Sequence, residues 1–206
     1  MSDNDFSDYY DHNKTEYVNY INRYPPSWAQ NVSTKNTLNK KLTGLRFTTV
    51  FEVGMGYGLF GKLILDGFEI ERFVGIDLSS DQIEAAQKYL EEWMLSGRVD
   101  VSVANIATYK SRTKFDLVFC STVLSHIPPN LIESAIKNMC RVAKKYIVIV
   151  EPTTEVMKRL NKNLEKKYDQ WLYDYATMFR QHGWAIVDHE DVCGFPIEYM
   201  RFEKVK

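Results

Sequence analysis

The chain has little cysteine, little net charge and no long apolar run, and each shortage excludes a class of protein. Three cysteines in 206 residues are too few and too scattered for a disulfide framework, which favours a reducing compartment. A formal net charge of −1 gives no global attraction for nucleic acid, so there is no strong nucleic-acid signal. No apolar run approaches the roughly 20 residues that span a membrane. We therefore expect a cytoplasmic protein that does not bind membranes.

Apolar strands alternate with helical patterns along most of the chain. Strands are predicted at 48–53, 73–76, 99–103, 115–120, 146–150, 184–192 and 198–205, and helices at 34–42, 59–65, 80–93, 131–142 and, long or broken, 157–179. Fully apolar strands between helices are typical of a parallel sheet covered on both faces. The sequence predicts an α/β fold: a doubly wound, mostly parallel seven-stranded sheet with an antiparallel C-terminal hairpin, in three α/β/α layers.

The first strand runs into a glycine-rich turn. Gly54, Gly56 and Gly58 can adopt positive φ and let a ligand approach the backbone, and Glu52 stands on the strand just before them. Asp77 ends the second strand, where a carboxylate can accept both hydroxyls of a ribose. These positions together predict a cofactor of the adenosine type.

Two classes of adenosine cofactor compete for this turn. In a dinucleotide fingerprint counted from Gly54, the third glycine position is Leu59, which fails; counted from Gly56 the pattern matches, but the strand has already ended. Glu52 would repel a pyrophosphate by on the order of 1 kcal/mol or more, and would attract a sulfonium or ammonium. The competing interpretation of Glu52 is an exposed charge at a strand end. The acid favours a cationic cofactor over a nicotinamide dinucleotide.

The acid followed by Gly-x-Gly-x-Gly is similar to the first motif of class I, Rossmann-like S-adenosylmethionine-dependent methyltransferases. The resemblance extends over about residues 45–192 and implies S-adenosylmethionine as cofactor, with S-adenosylhomocysteine as product. It implies that Glu52 and the turn face the methionine part, that Asp77 holds the ribose, and that the next positions surround adenine and the methyl group. The implied cofactor-binding residues are Glu52, Gly54, Met55, Gly56, Gly58, Asp77, Leu78, Asn105, Ile106, Cys120 and Ser121.

Two residues after the fourth and fifth strands are candidates for catalysis. His126 lies just beyond the fourth strand and could act as a general base; in many relatives a histidine here only orders the loop. Glu151 ends the fifth strand and either faces the acceptor or caps the next segment. Some relatives carry Glu-x-x-Glu-His at 122–126 as metal ligands, and both acids are missing here, so we expect no metal site.

The chain lacks an internal repeat or a low-complexity linker, so we expect one domain over 1–206. In this arrangement 1–44 forms a helical lid or cap, and 153–179 a helical segment on the acceptor side; both are rich in aromatic residues. The predicted reaction is transfer of a methyl group to an oxygen or nitrogen of a small molecule. The alternatives are a peptide or protein side-chain methyltransferase and a non-catalytic protein that binds the cofactor. No motif indicates an oligomeric state.

Overall fold

A computed structural model describes residues 28–159, 171–192 and 195–205. The strands are β1 (Thr49–Val53), β2 (Arg72–Asp77), β3 (Val99–Val103), β4 (Phe115–Ser121), β5 (Ala143–Glu151), β6 (Trp184–Asp191) and β7 (Glu198–Lys204). The helices are α1 (Trp28–Leu42), α2 (Leu59–Gly67), α3 (Ser80–Tyr89), α4 (Glu91–Leu95), α5 (Ile132–Val142), α6 (Thr154–Arg159) and α7 (Tyr175–Gln181), with a 3-10 helix at Leu124–His126.

The strands form a seven-stranded sheet in the order β3-β2-β1-β4-β5-β7-β6. The first five in this order are parallel, and β7 pairs antiparallel with both β5 and β6. The predicted fold class is confirmed. Because β1 pairs with both β2 and β4, the strand order reverses beside it, and ligands in such sheets bind at the carboxyl ends of the strands at this point.

The core lies on both faces of the sheet, because adjacent residues of a strand point to opposite sides. Val50 belongs to the apolar cluster that includes Leu38 of α1 and Ile64 of α2. Phe51 belongs to the cluster on the other face, which includes Ile136 of α5. Strand β1 is therefore apolar on both sides, and a charged residue within it needs a particular reason.

Two helices differ from the sequence prediction. Helix α1 begins at Trp28, six residues before the predicted Thr34. The predicted helix over 80–93 is divided at Leu90, whose backbone (φ −109°, ψ 15°) ends α3 and begins α4. The Leu90 side chain is fully buried and packs against Gly58, and this packing overrides the continuous helical pattern.

The C-terminal segment is helical in two described pieces, α6 and α7. Residues 171–174 are not helical, because Asp174 caps α7 by accepting the N–H of Thr177 at 3.0 Å. The predicted helical residues 160–170 lie outside the described residues. So do residues 1–27 of the predicted helical lid, and residues 193 and 194 between the two strands of the predicted hairpin.

Among the described residues, no helix has both the length and the apolar character needed to cross a bilayer.

Candidate functional site

The glycine turn after β1 has a backbone that requires glycine. Gly54, Gly56 and Gly58 have φ values of 64°, 55° and 92°, all in the left-handed region. A Cβ atom on Gly54 would lie 2.8 Å from Cγ1 of Val123 and closer still to its other methyl group. The turn therefore passes so close to the loop that follows β4 that no side chain fits at Gly54.

Replacing Gly54 with Ala is expected to lower the free energy of unfolding more than replacing Gly44 with Ala. Both alanines are strained by roughly 1–2 kcal/mol at positive φ, but Gly44 (φ 90°) has no atom within 4 Å of its added Cβ. At Gly54 the clash with Val123 adds about 1–3 kcal/mol. Urea unfolding of the two variants measures the difference; equal losses would show that the crowding does not matter.

Asp77 ties the turn to the end of β2. Its Oδ2 accepts the N–H of Gly56 at 2.9 Å, and its Oδ1 accepts the N–H of Ser79 at 2.9 Å. Burial raises the pKa of Asp77, and N–H donors from Ser79, Gly56 and Leu78 oppose that rise. The carboxylate stays partly exposed, so it can also accept hydrogen bonds from a ligand.

Glu52 lies beneath the turn and is only 2% exposed. Its Oε2 has no hydrogen-bond partner among the described residues and would sit 2.9 Å from a Cβ added to Gly61 of α2. Burial raises the pKa of Glu52 well above its ordinary value, and repulsion from Asp77 adds to the rise. The interpretation as an exposed charge at the strand end is wrong. Two carboxylates close enough to repel each other fit a cationic ligand.

Replacing Glu52 with Gln is expected to stabilise the ligand-free protein and weaken S-adenosylmethionine binding. The folded-state pKa of Glu52 lies above 4.5, so its contribution to stability is complete below pH 4.5 and lost as pH rises through the folded pKa. At neutral pH the neutral amide removes that cost. Thermal unfolding and calorimetry would show a higher Tm together with a weaker Kd; a lower Tm would contradict the argument.

Replacing Asp77 with Ala is expected to weaken S-adenosylmethionine binding about 5- to 150-fold, which corresponds to about 1–3 kcal/mol. The alanine removes a charged acceptor and also releases the N–H groups of Gly56 and Ser79. Asp77→Asn keeps one acceptor oxygen and should fall between the two proteins. Calorimetry measures all three; an unchanged affinity for Asp77→Ala would show that Asp77 does not hold the cofactor.

The loop after β3 contains the positions expected near adenine. Asn105 Oδ1 accepts the N–H of Ala107 at 2.8 Å, and the carbonyls of Ile106 and Ala107 accept from the Asn138 amide at 2.8 and 2.9 Å. Ile106 is 5% exposed and Leu78 is half-buried. Asn105 therefore closes the loop, and Asn138 of α5 fixes it from below.

Strand β4 ends in an unusual backbone conformation. Cys120 is fully buried, and burial raises the pKa of its thiol well above the ordinary value, so it is not a nucleophile. Ser121 is half-buried, and Thr122 has φ 55°, the one positive φ at a non-glycine residue in the described part of the chain. The N–H of Thr122 donates to the Val150 carbonyl at 2.8 Å. Strain of this kind persists only where the surrounding structure imposes it.

Glu151 holds the loop that follows Thr122. Its Oε1 accepts the N–H groups of Val123 at 2.7 Å and Leu124 at 2.9 Å, and its Oε2 accepts that of Ser125 at 3.3 Å. The side chain is fully buried, and burial raises its pKa to about 7 although the three N–H donors oppose the rise. Both carboxylate oxygens thus bind the amino-terminal end of the 3-10 helix.

The same loop carries contacts to two other parts of the chain. Val123 lies against Gly54 of the glycine turn. The N–H of Trp171 donates to the Ser125 carbonyl at 2.8 Å, and the Tyr173 hydroxyl to the Ile127 carbonyl at 2.6 Å. Residues 122–127, which we call the post-β4 loop, therefore join the cofactor side of the site to the segment before α7.

His126 ends the 3-10 helix of the post-β4 loop and is half-buried. Burial lowers the pKa of its imidazole to about 4, so the ring is neutral at physiological pH. A neutral imidazole has a lone pair that can accept a proton.

Within the ranges that the structure describes, no group of three or more His, Cys, Asp or Glu side chains could hold a metal ion.

The fold is a Rossmann-like domain whose glycine turn and Asp77 lie at the carboxyl ends of parallel strands. Residues 50–146 match a family model described as a methyltransferase domain. Among curated protein sequences, none matches this chain.

Solved structures share the fold at low sequence identity. Magnesium protoporphyrin IX methyltransferase from Synechocystis PCC 6803, with bound S-adenosylhomocysteine, is 18% identical over 84% of this chain and 82% of that chain, with a TM-score of 0.66. The N-methyltransferase NodS from Bradyrhizobium japonicum WM9 is 15% identical over 87% and 99%, with a TM-score of 0.69. A putative methyltransferase of Haloferax volcanii, in complex with the activator Trm112, is 12% identical over 92% and 96%, with a TM-score of 0.72.

The family match covers a little under half of the chain, and the solved structures share its fold over most of its length. Both findings agree with the prediction of a class I, Rossmann-like S-adenosylmethionine-dependent methyltransferase, and the S-adenosylhomocysteine bound to the Synechocystis protein agrees with the predicted cofactor.

Proposed function

We propose that the protein transfers a methyl group from S-adenosylmethionine to an oxygen or nitrogen atom of a small molecule. The observation that carries the proposal is the buried carboxyl group of Glu52 beneath a glycine turn that Asp77 binds at the N–H of Gly56. Such a site gains most from a ligand that combines a cationic part with hydroxyl donors. S-adenosylmethionine has both.

In this proposal, residues at the ends of four strands bind different parts of the cofactor. We infer that Glu52 and the turn at Gly54, Met55, Gly56 and Gly58 hold the methionine part. Asp77 accepts from the ribose. Leu78, Asn105 and Ile106 border the adenine, and Cys120 and Ser121 lie beside the methyl group. When bound, the cofactor supplies an electrophilic methyl group on its sulfonium.

The acceptor side is formed by the post-β4 loop and the segment before α7. Tyr173 is fixed by its hydrogen bond to Ile127, and its ring packs against Tyr175 with centroids 6.1 Å apart. Trp171 and Tyr173 remain partly exposed. Partly exposed aromatic side chains at this position favour a small molecule with an apolar body.

We assign different roles to the two candidate catalytic residues. His126 is uncharged at neutral pH and is the proton acceptor when the attacking atom is oxygen; a neutral amine can react without it. Glu151 is the positioning residue, because both of its oxygens bind the backbone of the post-β4 loop. Its geometry supports this role better than proton transfer to a substrate.

We propose one methyltransferase domain over 1–206, with 1–44 as a lid or cap and 153–179 as a wall of the acceptor pocket. A cytoplasmic location is supported by the free thiols of Cys120 and Cys140. The second candidate acceptor is a peptide or protein side chain, and a non-catalytic cofactor-binding protein is the third reading.

Two measurements test the proposal. Calorimetry should detect S-adenosylmethionine and S-adenosylhomocysteine binding and none of NAD; tight NAD binding alone would refute it. Incubation with methyl-labelled cofactor, a small-molecule extract and a peptide library should label the small-molecule fraction, and Asp77→Ala should reduce that labelling. Label in peptides alone would support the second acceptor, and cofactor binding without any transfer would support the non-catalytic protein.

A further inference from the structure

A surface rich in cations lies at the amino ends of the parallel strands, at the opposite end of the strands from the cofactor site. The glycine turn, Asp77 and Glu151 follow or end parallel strands, whereas this surface is built where β1, β4 and β5 begin. We call it the basal surface. Its exposed cations are Arg46, Lys110, Arg112, Lys114, Lys137, Arg141, Lys144 and Lys145.

Contacts between these segments make them one surface. Arg141 of α5 donates to the Tyr109 carbonyl at 2.6 Å and also to the Ser111 carbonyl, which joins α5 to the loop before β4. Lys145 donates to the Arg46 carbonyl at 3.0 Å, which joins β5 to the chain entering β1.

Little negative charge offsets these cations. The sequence has no acid in residues 104–115 or 134–150. Asp116 is 4% exposed and already pairs with Lys145 at 3.1 Å and Lys144 at 3.5 Å. At the borders, Glu71 accepts from Thr48 and Glu133 contacts His182 at 2.8 Å.

Four cations of the basal surface are available to a partner. Lys110, Arg112, Lys114 and Lys137 are exposed and form no ion pair with any residue in the described part of the chain. A shallow cleft beside two of them, Lys110 and Arg112, is also lined by Ser111, Asn138 and Arg141. Cations mixed with hydroxyl and amide groups are the side chains that contact nucleic-acid phosphates.

The chemistry of the surface argues against a membrane or a protein as its partner. Insertion into a bilayer needs apolar side chains, and the large apolar side chains left exposed in the described ranges all lie outside 46, 110–114 and 137–145. A stable protein interface also needs an apolar centre, and every residue that lines the cleft has a polar or charged side chain. A chain of evenly spaced phosphates needs neither.

We propose that the basal surface binds the phosphodiester backbone of a nucleic acid, without reading its sequence. A nucleic acid bound there leaves the cofactor site open at the carboxyl ends of the strands. It would therefore act as a tether and not as the methyl acceptor. This binding goes beyond the proposed methyl transfer and does not depend on it.

The test compares two triple variants that remove the same charge. The basal variant is Lys110→Gln, Arg112→Gln and Lys114→Gln; the control is Lys62→Gln, Lys88→Gln and Arg180→Gln. Anisotropy of a labelled single-stranded RNA is measured between about 50 and 200 mM salt. Four phosphate contacts predict a slope of log K against log salt of about −3 for the wild type, and one remaining contact predicts about −1 for the basal variant.

The proposal expects the basal variant to bind RNA about tenfold or more weakly, the control to bind like the wild type, and all three proteins to keep their S-adenosylmethionine affinity. An equal loss in the control variant would overturn it. So would the absence of wild-type binding at low salt. Equally tight binding of polyglutamate, or binding of phosphatidylserine vesicles and not of RNA, would assign the surface to a different partner.

Discussion

Replacing Glu151 with Ala is expected to lower the free energy of unfolding by about 2–5 kcal/mol at pH 5. The alanine leaves the N–H groups of Val123, Leu124 and Ser125 without their acceptor, and two of these three donors are buried. Burying donors without partners is costly because they lose their hydrogen bonds to water. Urea unfolding measures the loss directly.

The loss should shrink as pH rises. The folded-state pKa of Glu151 is raised to about 7, so the stability that this residue contributes is complete below pH 4.5 and declines as pH passes through about 7. The variant lacks this titration, and the two proteins should differ less at pH 8 than at pH 5. Glu155→Ala, an exposed glutamate of the next helix, is the matched control and should change stability by about 0.5 kcal/mol or less. A loss that grows with pH would contradict the assigned ionisation.

Replacing His126 with Asn is expected to reduce kcat about 100-fold or more when the acceptor is an oxygen atom, with no change in S-adenosylmethionine affinity. The asparagine can form hydrogen bonds but cannot take up a proton. The wild-type rate should be constant above about pH 5 and fall as pH drops through about 4, where the imidazole becomes charged. The variant should lose that dependence.

His182→Asn is the control, because His182 contacts Glu133 between α5 and α7, away from the glycine turn. A loss below about tenfold in His126→Asn would indicate an amine acceptor that reacts without a base.

The same pKa shift predicts that the stability contributed by His126 is present above pH 6.5 and lost as pH falls through about 4. A variant whose Tm changes with its rate constant unchanged would mark His126 as structural.

The parts of the site that lie close together in sequence could be predicted from it. The turn at 54–58 follows its strand directly, and glycine at three alternate positions indicates positive φ, as the structure has it. Val99–Val103 has the bounds predicted for the third strand. Apolar runs and glycines are local signals, and local signals determine where strands end.

The contacts of the post-β4 loop could not be predicted in this way. Glu151 binds N–H groups 26 to 28 residues before it, and Tyr173 binds a carbonyl 46 residues before it. Positive φ at Thr122 has no sequence signal, because a β-branched residue rarely adopts it. Such features depend on the finished packing and not on local preference.

Net charge cannot show where charges lie, for a similar reason. A total of −1 describes the whole chain, and it conceals the separation of eight exposed cations onto the basal surface. Binding depends on where charges lie, and only the fold brings residues 46, 110–114 and 137–145 together.

The position of β7 has a consequence for the order in which the protein can assemble. Ribosomes synthesise β6 before β7, yet β7 lies between β5 and β6 in the sheet. The apolar strand β5 therefore keeps an unpaired edge, open to pairing with other nascent chains, until residues 198–204 have been made. Strand β6 joins the sheet through β7, so it cannot pair until β7 has been made. The two strands must therefore add to β5 together, as a hairpin.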